Sequence, residues 1–224
     1  MTTIATGVPS ESGRPLELHV QPALTDRNRL TTLLRLVLAI PHLLLVGGPV
    51  AGALSWGWRA DAGRNPGWTA GGGVLGAVAF IAALIAWFAI VLTGRHPEGL
   101  WDLAAFYLRW RVRAIAYVSL LRDEYPPFGD GAYPAELIIR RPVAKRDRVS
   151  VAFRLILAIP QLVVLWALSV AWAITTMIAW FAILFTGRYP TTLYDFGVGA
   201  LRWNIRVEAY LLLLDDEYPP FSLI

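Results

Sequence analysis

The sequence predicts an all-α integral membrane protein. Four transmembrane helices form two tandem helical hairpins, each followed by an amphipathic interfacial helix, with short cytoplasmic β-strands. Three observations predict this class. The composition suits lipid as solvent: 56% hydrophobic, mean hydropathy +0.52 and only 16% charged, against roughly 25% in an ordinary soluble domain. A stretch that closes an apolar run occurs twice. Residues 86–97 read AWFAIVLTGRHP and residues 179–190 read AWFAILFTGRYP, matching at 9 of 12 positions. The basic residues gather at one end of the apolar runs.

Residues 1–14 are polar, lack the basic-then-apolar start of a secretory signal, and are expected to form a disordered tail. Two repeats follow, 15–129 and 130–224. Arg35 aligns with Arg154, 119 positions on, through RLVLAIP and RLILAIP. Trp87 aligns with Trp180, only 93 positions on, so repeat one carries 26 extra residues between its apolar runs. DEYPPF occurs at 123–128 and again at 216–221.

Each repeat opens on a short alternating segment, 16–20 and 136–140, whose period of two suggests strands that could pair with each other. In repeat one, residues 30–54 form a first span, kinked at Pro41. The insert, 55–69, holds Trp56, Trp58, Arg59, Asp61, Arg64 and Trp68 and reads as a polar loop with interfacial aromatics. Residues 70–93 form the second span. Gly48 with Gly52, and Gly72 with Gly76, would let the two helices approach closely. In repeat two, residues 151–186 are too long for one crossing: about 54 Å of helix against a core of about 30 Å. A second hairpin is expected there, with Trp166 and Trp172 at its turn.

In each repeat the second span ends on the duplicated motif. Gly94 and Gly187 suit a left-handed helix cap. Arg95 and Arg188 suit the helix dipole and lipid phosphates. Pro97 and Pro190 open the next helix. Of 20 basic residues, the insert holds two, and Arg35 and Arg154 snorkel from just inside the spans. The remaining 16 lie on one side, which the positive-inside rule makes cytoplasmic. A multi-pass protein of the cell membrane with both termini inside is expected.

Residues 98–121 and 191–213 read as amphipathic helices in the headgroup layer. On a helical wheel Asp102, Arg109 and Arg113 fall within about 40° of one another, as do Asp195, Arg202 and Arg206. A solvated face is the plainer explanation of this stripe. The duplication nevertheless keeps it in register while Arg111 becomes Asn204 and Ile115 becomes Glu208. It is the candidate site for lipid headgroups or a partner.

Chemistry is sparsely signalled. There is no Cys, hence no disulfide or thiolate. His19, His42 and His96 lack ligand spacing, so no metal is expected. No phosphate loop or nucleophile elbow occurs, and no cofactor is implied. A net charge of +4 is explained by anionic lipid more simply than by nucleic acid. The acidic pairs Asp123–Glu124 and Asp216–Glu217 invite an acid–base reading, but neighbouring carboxylates do not share a helix face. The expected role is a helix end, with Tyr125, Tyr218 and the prolines beside them packing as a cap.

The LAIP, WFAILFTGRYP, LRW and DEYPPF motifs together resemble the bacterial, largely actinobacterial, membrane family of domain of unknown function number 4389, in two tandem copies. The resemblance runs from about residue 15 to 223 and implies an integral membrane protein without catalytic residues to carry over. The expected function is non-enzymatic: a scaffold or accessory subunit that engages anionic lipid or a membrane protein partner at the cytoplasmic face. The alternative is a small transporter or channel with its pathway between the repeats. A lipid-modifying enzyme would require the two acidic pairs to converge.

Overall fold

A computed structural model describes residues 16–48, 72–142 and 146–224, together with the backbone of 56–59 and 67–70. The expected tail, Gly52, Lys145 and most of the insert lie outside the described residues. The chain runs β1 (Leu16–Val20), α1 (Arg29–Val46), β2 (Trp56–Arg59), β3 (Gly67–Ala70), α2 (Gly73–Thr93), α3 (Glu98–Val118), β4 (Ala135–Ile139), α4 (Arg148–Ala152), α5 (Arg154–Thr186) and α6 (Thr191–Leu211).

β1 and β4 pair antiparallel, with Leu18 opposite Leu137 and Leu16 opposite Ile139. Leu18 and Leu137 are repeat equivalents, so a pseudo-twofold axis passes between them. Alternation does the rest. Leu16, Leu18, Ala135 and Leu137 face the core, while His19 and Glu136 face out. Beneath the sheet lie α3 and α6, and their residues dominate the main hydrophobic cluster. Beneath these run α1, α2 and α5.

Local signals recur in the two halves. Asn28 caps α1 by accepting from Leu30 N at 3.0 Å, and its equivalent Asp147 caps α4 by accepting from Val149 N at 3.1 Å. α2 ends on Gly94 at φ 73° and α5 on Gly187 at φ 71°, both left-handed. Pro97 and Pro190 cap the next helices, their carbonyls accepting from Trp101 N and Tyr194 N.

Three helices, α1, α2 and α5, are long and apolar enough to cross a membrane. The second hairpin is absent: residues 154–186 form one continuous helix. The reason is local. α1 ends where the sequence reads Gly47-Gly48-Pro49, whereas the matching residues of repeat two, Trp166-Ala167-Leu168, include no Gly or Pro. Trp166 lies exposed on mid-helix and Trp172 is buried, so neither marks a turn.

α1 matches the first half of α5 together with α4, and α2 matches its second half. The start of α2 abuts the end of α1. A Cβ on Gly73 would fall 2.5 Å from the Leu45 carbonyl group. The far ends separate. Thr32 on α1 meets Trp180 near the end of α5, and Trp87 near the end of α2 meets Val151 on α4. About 40 Å of α5 lies between those two meeting points. α1 and α2 therefore behave as one interrupted long helix running head-to-tail against α5, not as a closed hairpin.

Burial along α5 follows a single stripe, Arg154, Ala158, Gln161, Leu165, Ser169, Trp172, Ala179 and Ile183. The spacing of three and four is that of one helix face. The remaining surface is apolar and exposed, from Leu155 to Phe185. α3 differs from a helix resting on a bilayer surface. From Tyr107 to Tyr117 nearly every residue is buried, because the sheet covers it on one side and α1 and α2 on the other. Gly76 serves this packing: a Cβ there would sit 3.0 Å from the Tyr107 hydroxyl. The glycine admits α3 rather than α1.

Candidate functional site

Arg35 and Arg154 do not snorkel. Each is buried, and each locks a helix end to a DEYPPF loop. Arg35 donates Nη1 to the carbonyls of Tyr117, at 2.9 Å, and Arg122, and Nη2 to Asp123. Its guanidinium lies 4.5 Å from the Tyr117 ring centroid. Arg27 adds a second bond to Asp123 at 2.9 Å and donates to the carbonyl of Leu120. Repeat two copies this. Arg154 donates to the carbonyls of Tyr210 at 2.9 Å and Asp215 at 3.0 Å, and to Asp216 at 2.8 Å. It sits over the Tyr210 ring at 4.3 Å. Arg146 donates to the Leu213 carbonyl at 2.7 Å and to Asp216 at 3.1 Å.

Leu120 and Leu213 carry φ of 65° and 63°, a left-handed conformation costly for leucine. Such strain persists where the surroundings over-determine it. Here an arginine holds each leucine's carbonyl, turning the chain out of α3 and α6 toward its acidic pair.

Tyr125 and Phe128 then pack under α1. His42 stacks on Phe128 with centroids 4.5 Å apart and accepts from Trp110 Nε1 at 3.0 Å. Gln161, which replaces His42 in repeat two, accepts from Trp203 Nε1 at 2.9 Å and donates to the Pro219 carbonyl at 2.6 Å. His42 and Gln161 thus do the same job, joining a tryptophan to the loop. Tyr218 packs on Tyr210 and Phe221. Glu124 receives a two-pronged bond from Arg122, at 3.0 and 2.5 Å. Burial pushes its carboxyl up, but Arg122 outweighs that and holds it below the usual range. Arg122 becomes Asp215 in repeat two; burial pushes the Asp215 carboxyl up, and Glu217 makes no ion pair among the described residues.

The predicted stripe is divided. Asp102 pairs with Arg141 at 2.5 Å. Arg109 and Arg113 instead reach Asp130, at 3.7 and 3.8 Å, and Arg113 donates to the Gly129 carbonyl at 2.6 Å. Arg202 and Arg206 donate to the carbonyls of Leu223 at 3.2 Å and Ile224 at 2.6 Å. Asp195 lies beside Arg202 in a surface depression. The four arginines therefore clamp the segment that follows each DEYPPF loop.

The duplicated motif joins the repeats reciprocally. Trp87 Nε1 donates to the Val151 carbonyl at 2.9 Å, and Trp180 Nε1 to the Thr32 carbonyl at 3.0 Å. Thr32 and Val151 are themselves equivalents. Arg148 lies against Gly94 and Arg29 against Gly187. Arg95 and Arg188 are exposed.

One grouping has no copy. Arg111 is buried and donates Nε to Glu208 at 2.7 Å, Nη1 to the Val46 carbonyl at 2.6 Å and Nη2 to the Gly48 carbonyl at 3.0 Å. Tyr107 donates to Glu208 at 3.2 Å. Interrupting a helix leaves terminal carbonyls without partners. Arg111 supplies donors where α1 breaks. Repeat two is unbroken there, and its equivalent is Asn204. Burial disfavours the Arg111 charge, but Glu208 and Tyr107 outweigh that and raise its pKa. Burial, reinforced by Glu208, pushes the Tyr107 phenol up.

The two acidic pairs do not converge. Asp123 is held at the start of α1 and Asp216 at the start of α5, in separate locks. Among the described residues no three of His, Asp or Glu gather as metal ligands.

A family model described as Domain of unknown function (DUF4389) matches residues 71–129 and 148–222, more than half of the chain. The chain belongs to the DUF4389 family. No curated protein and no solved structure matches it. The two DUF4389 segments contain both DEYPPF loops, α3 and α6, and the second segment also contains Arg154. Sequence reasoning missed the locks. The signal was present: Arg27 with Arg146, Arg35 with Arg154 and Asp123 with Asp216 recur at the two offsets that relate the repeats.

Proposed function

We propose that this DUF4389 protein is a non-enzymatic membrane component, a scaffold or accessory subunit that engages anionic lipid or a partner protein at the cytoplasmic face. The carrying observation is the layering about the pseudo-twofold axis. The sheet shows His19 and Glu136 outward, and α1, α2 and α5 show apolar surface on the opposite side. An axis along the bilayer normal keeps the strands in water and the long helices in hydrocarbon. An axis in the membrane plane would bring the sheet's charged face to mid-membrane depth, which is costly.

The normal orientation also puts Arg27, Arg29, Arg95, Arg146, Arg148 and Arg188 at one surface, which the positive-inside rule makes cytoplasmic. Both termini belong there. Because α5 has no turn, both of its ends reach that surface only if the long helices lie along the bilayer plane, with their apolar faces in the hydrocarbon. Co-purification from native membrane tests the function. Enrichment of anionic lipid, or of one partner protein, over the bulk membrane is the expected result. A co-purifying pool with bulk composition and no partner would reject it.

The transporter reading gains one observation, the buried Arg111–Glu208 pair at a helix break. Interrupted helices in membrane proteins often line substrate or ion sites. Solute or ion flux in vesicles reconstituted with the full chain, abolished by Glu208→Gln, would favour that reading.

A further inference from the structure

Each meeting point of the long helices carries a cavity and a pair of arginines. Between α1 and the C-terminal half of α5 lies a cavity of about 410 Å³, lined by Leu36, Leu120, Trp172, Met177, Trp180 and Phe181. Between α2 and the start of α5 lies one of about 220 Å³, lined by Phe80, Leu84, Trp87, Leu155, Leu211 and Leu213. They are repeat equivalents: Leu36 matches Leu155, Leu120 matches Leu213, Met177 matches Leu84 and Trp180 matches Trp87. The difference in size has a cause. Ala173 lines the larger cavity where Phe80 fills the smaller one.

Two arginines lie near each cavity, at the end of the same helix junction. Arg29 lies against Gly187, next to Arg188; a Cβ on Gly187 would be 3.5 Å from Arg29 Nη2. From Arg29 to Leu36, and from Phe181 to Arg188, is two helical turns, about 10 Å. The matching pair is Arg148, against Gly94, and Arg95. All four are exposed. Among the described residues none of the four makes an ion pair. Large apolar side chains flank them in the open: Leu30 and Phe185 at one junction, Leu92 and Val149 at the other.

Two arginines brought to one junction suit a phosphate. A mostly apolar groove about 10 Å away along the helices suits a hydrocarbon chain. We propose that each junction binds one anionic glycerophospholipid, its phosphate on the arginine pair (Arg29 with Arg188, Arg148 with Arg95) and one acyl chain in the adjoining cavity. This rests on the membrane reading above and deepens it: the lipid is bound at two built sites, made by the two repeats exchanging arginines.

The test uses the full-length protein in bilayers of equal phosphatidylglycerol and phosphatidylcholine, with lipids retained after detergent extraction counted by native mass spectrometry. Two retained phosphatidylglycerols per chain are expected. Ala173→Phe, which imitates the smaller cavity, should remove or weaken one. The quadruple Arg29→Gln, Arg95→Gln, Arg148→Gln, Arg188→Gln variant should lower the phosphatidylglycerol preference at least fivefold, and the matching Lys variant should restore most of it. Unchanged counts and preference in both variants would overturn the proposal. Loss of one lipid in Ala173→Phe with unchanged preference in the arginine variant would leave a site for the chain alone and overturn the phospholipid assignment. Carbonate-resistant membrane retention of the unaltered protein is scored separately, so failure of the membrane reading is distinguishable from failure of the sites.

Discussion

Arg111 and Glu208 meet at 2.7 Å in the buried seam between the repeats, and they occupy two positions at which the matching helices α3 and α6 differ. Their equivalents are Asn204 and Ile115. One charge on each helix makes an asymmetric pair in the seam between the repeats. Removing one partner of a buried pair typically costs about 3–5 kcal/mol, because a desolvated charge is left without its counter-ion. Glu208→Gln should therefore lower stability strongly, read as the unfolding midpoint in detergent. Arg111→Asn with Glu208→Ile, which restores the residues of the other repeat, should cost less than Glu208→Gln alone. It should still cost something, because the Val46 and Gly48 carbonyls lose their donors.

Asp123 and Asp216 each accept from two arginines, and one of each pair, Arg27 and Arg146, also holds the carbonyl of a left-handed leucine. Asp123→Asn and Asp216→Asn keep the shape and remove the charge. Both carboxylates are partly exposed, so solvent offsets part of the loss and about 2 kcal/mol is expected for each. The two variants should be nearly equal, since the locks are copies. A cost confined to one of them, measured by denaturant unfolding, would contradict their equivalence.

Much of this was legible in the sequence, and the misses have physical causes. Alternation points to two short strands that can pair, but the second runs 135–139 rather than 136–140, and its register is set by the structure alone. The helix stops at Gly94 and Gly187 were readable because a left-handed cap requires glycine. The second hairpin fails because helix length against bilayer thickness and analogy with repeat one both point to a turn, whereas 165–173 lacks any residue that ends a helix. Arg35 and Arg154 were taken for snorkelling side chains because their partners, Asp123 and Asp216, lie 88 and 62 residues away. Spacing along one helix is blind to such a partner. The same blindness grouped Asp102 with Arg109 and Arg113, which share a helix face yet answer to different acids.

His96 should make stability depend on pH. Burial lowers its pKa, and Arg146 and Arg141 add to this, while the Pro97 carbonyl and Asp216 oppose them. A group with a depressed folded pKa favours folding above its unfolded value, about 6.5, and that contribution is lost as pH falls through the folded value. The unfolding midpoint should drop between pH 7.5 and 5. His96→Tyr, which installs the residue of repeat two, should flatten that drop. An unchanged slope in the variant would remove His96 from the account.

Gly94 and Gly187 share a left-handed φ but not the same surroundings. An L side chain in that conformation costs roughly 1–2 kcal/mol. At Gly94 a Cβ would also meet Arg148 Nη2 at 3.0 Å, against 3.5 Å from Arg29 at Gly187. Gly94→Ala should therefore destabilise more than Gly187→Ala. Gly94→Ala should also displace a headgroup arginine and weaken phosphatidylglycerol retention at that junction, which separates it from a purely local helix-cap effect.

Arg29 and Arg148 decide the membrane geometry. They are equivalents under the pseudo-twofold axis, and they sit at opposite ends of α5, separated by about 50 Å of helix. An axis along the bilayer normal places both at one surface. An axis in the plane would place them on opposite surfaces and turn the repeats into inverted copies. Arg29→Cys and Arg148→Cys in the naturally cysteine-free chain can each be labelled with a membrane-impermeant maleimide in sealed spheroplasts and in inverted vesicles. Both should react only in inverted vesicles, where the cytoplasmic face is outward. Opposite patterns for the two would require the sheet's charged face to be shielded from lipid by another chain, and would make the transporter reading the stronger one.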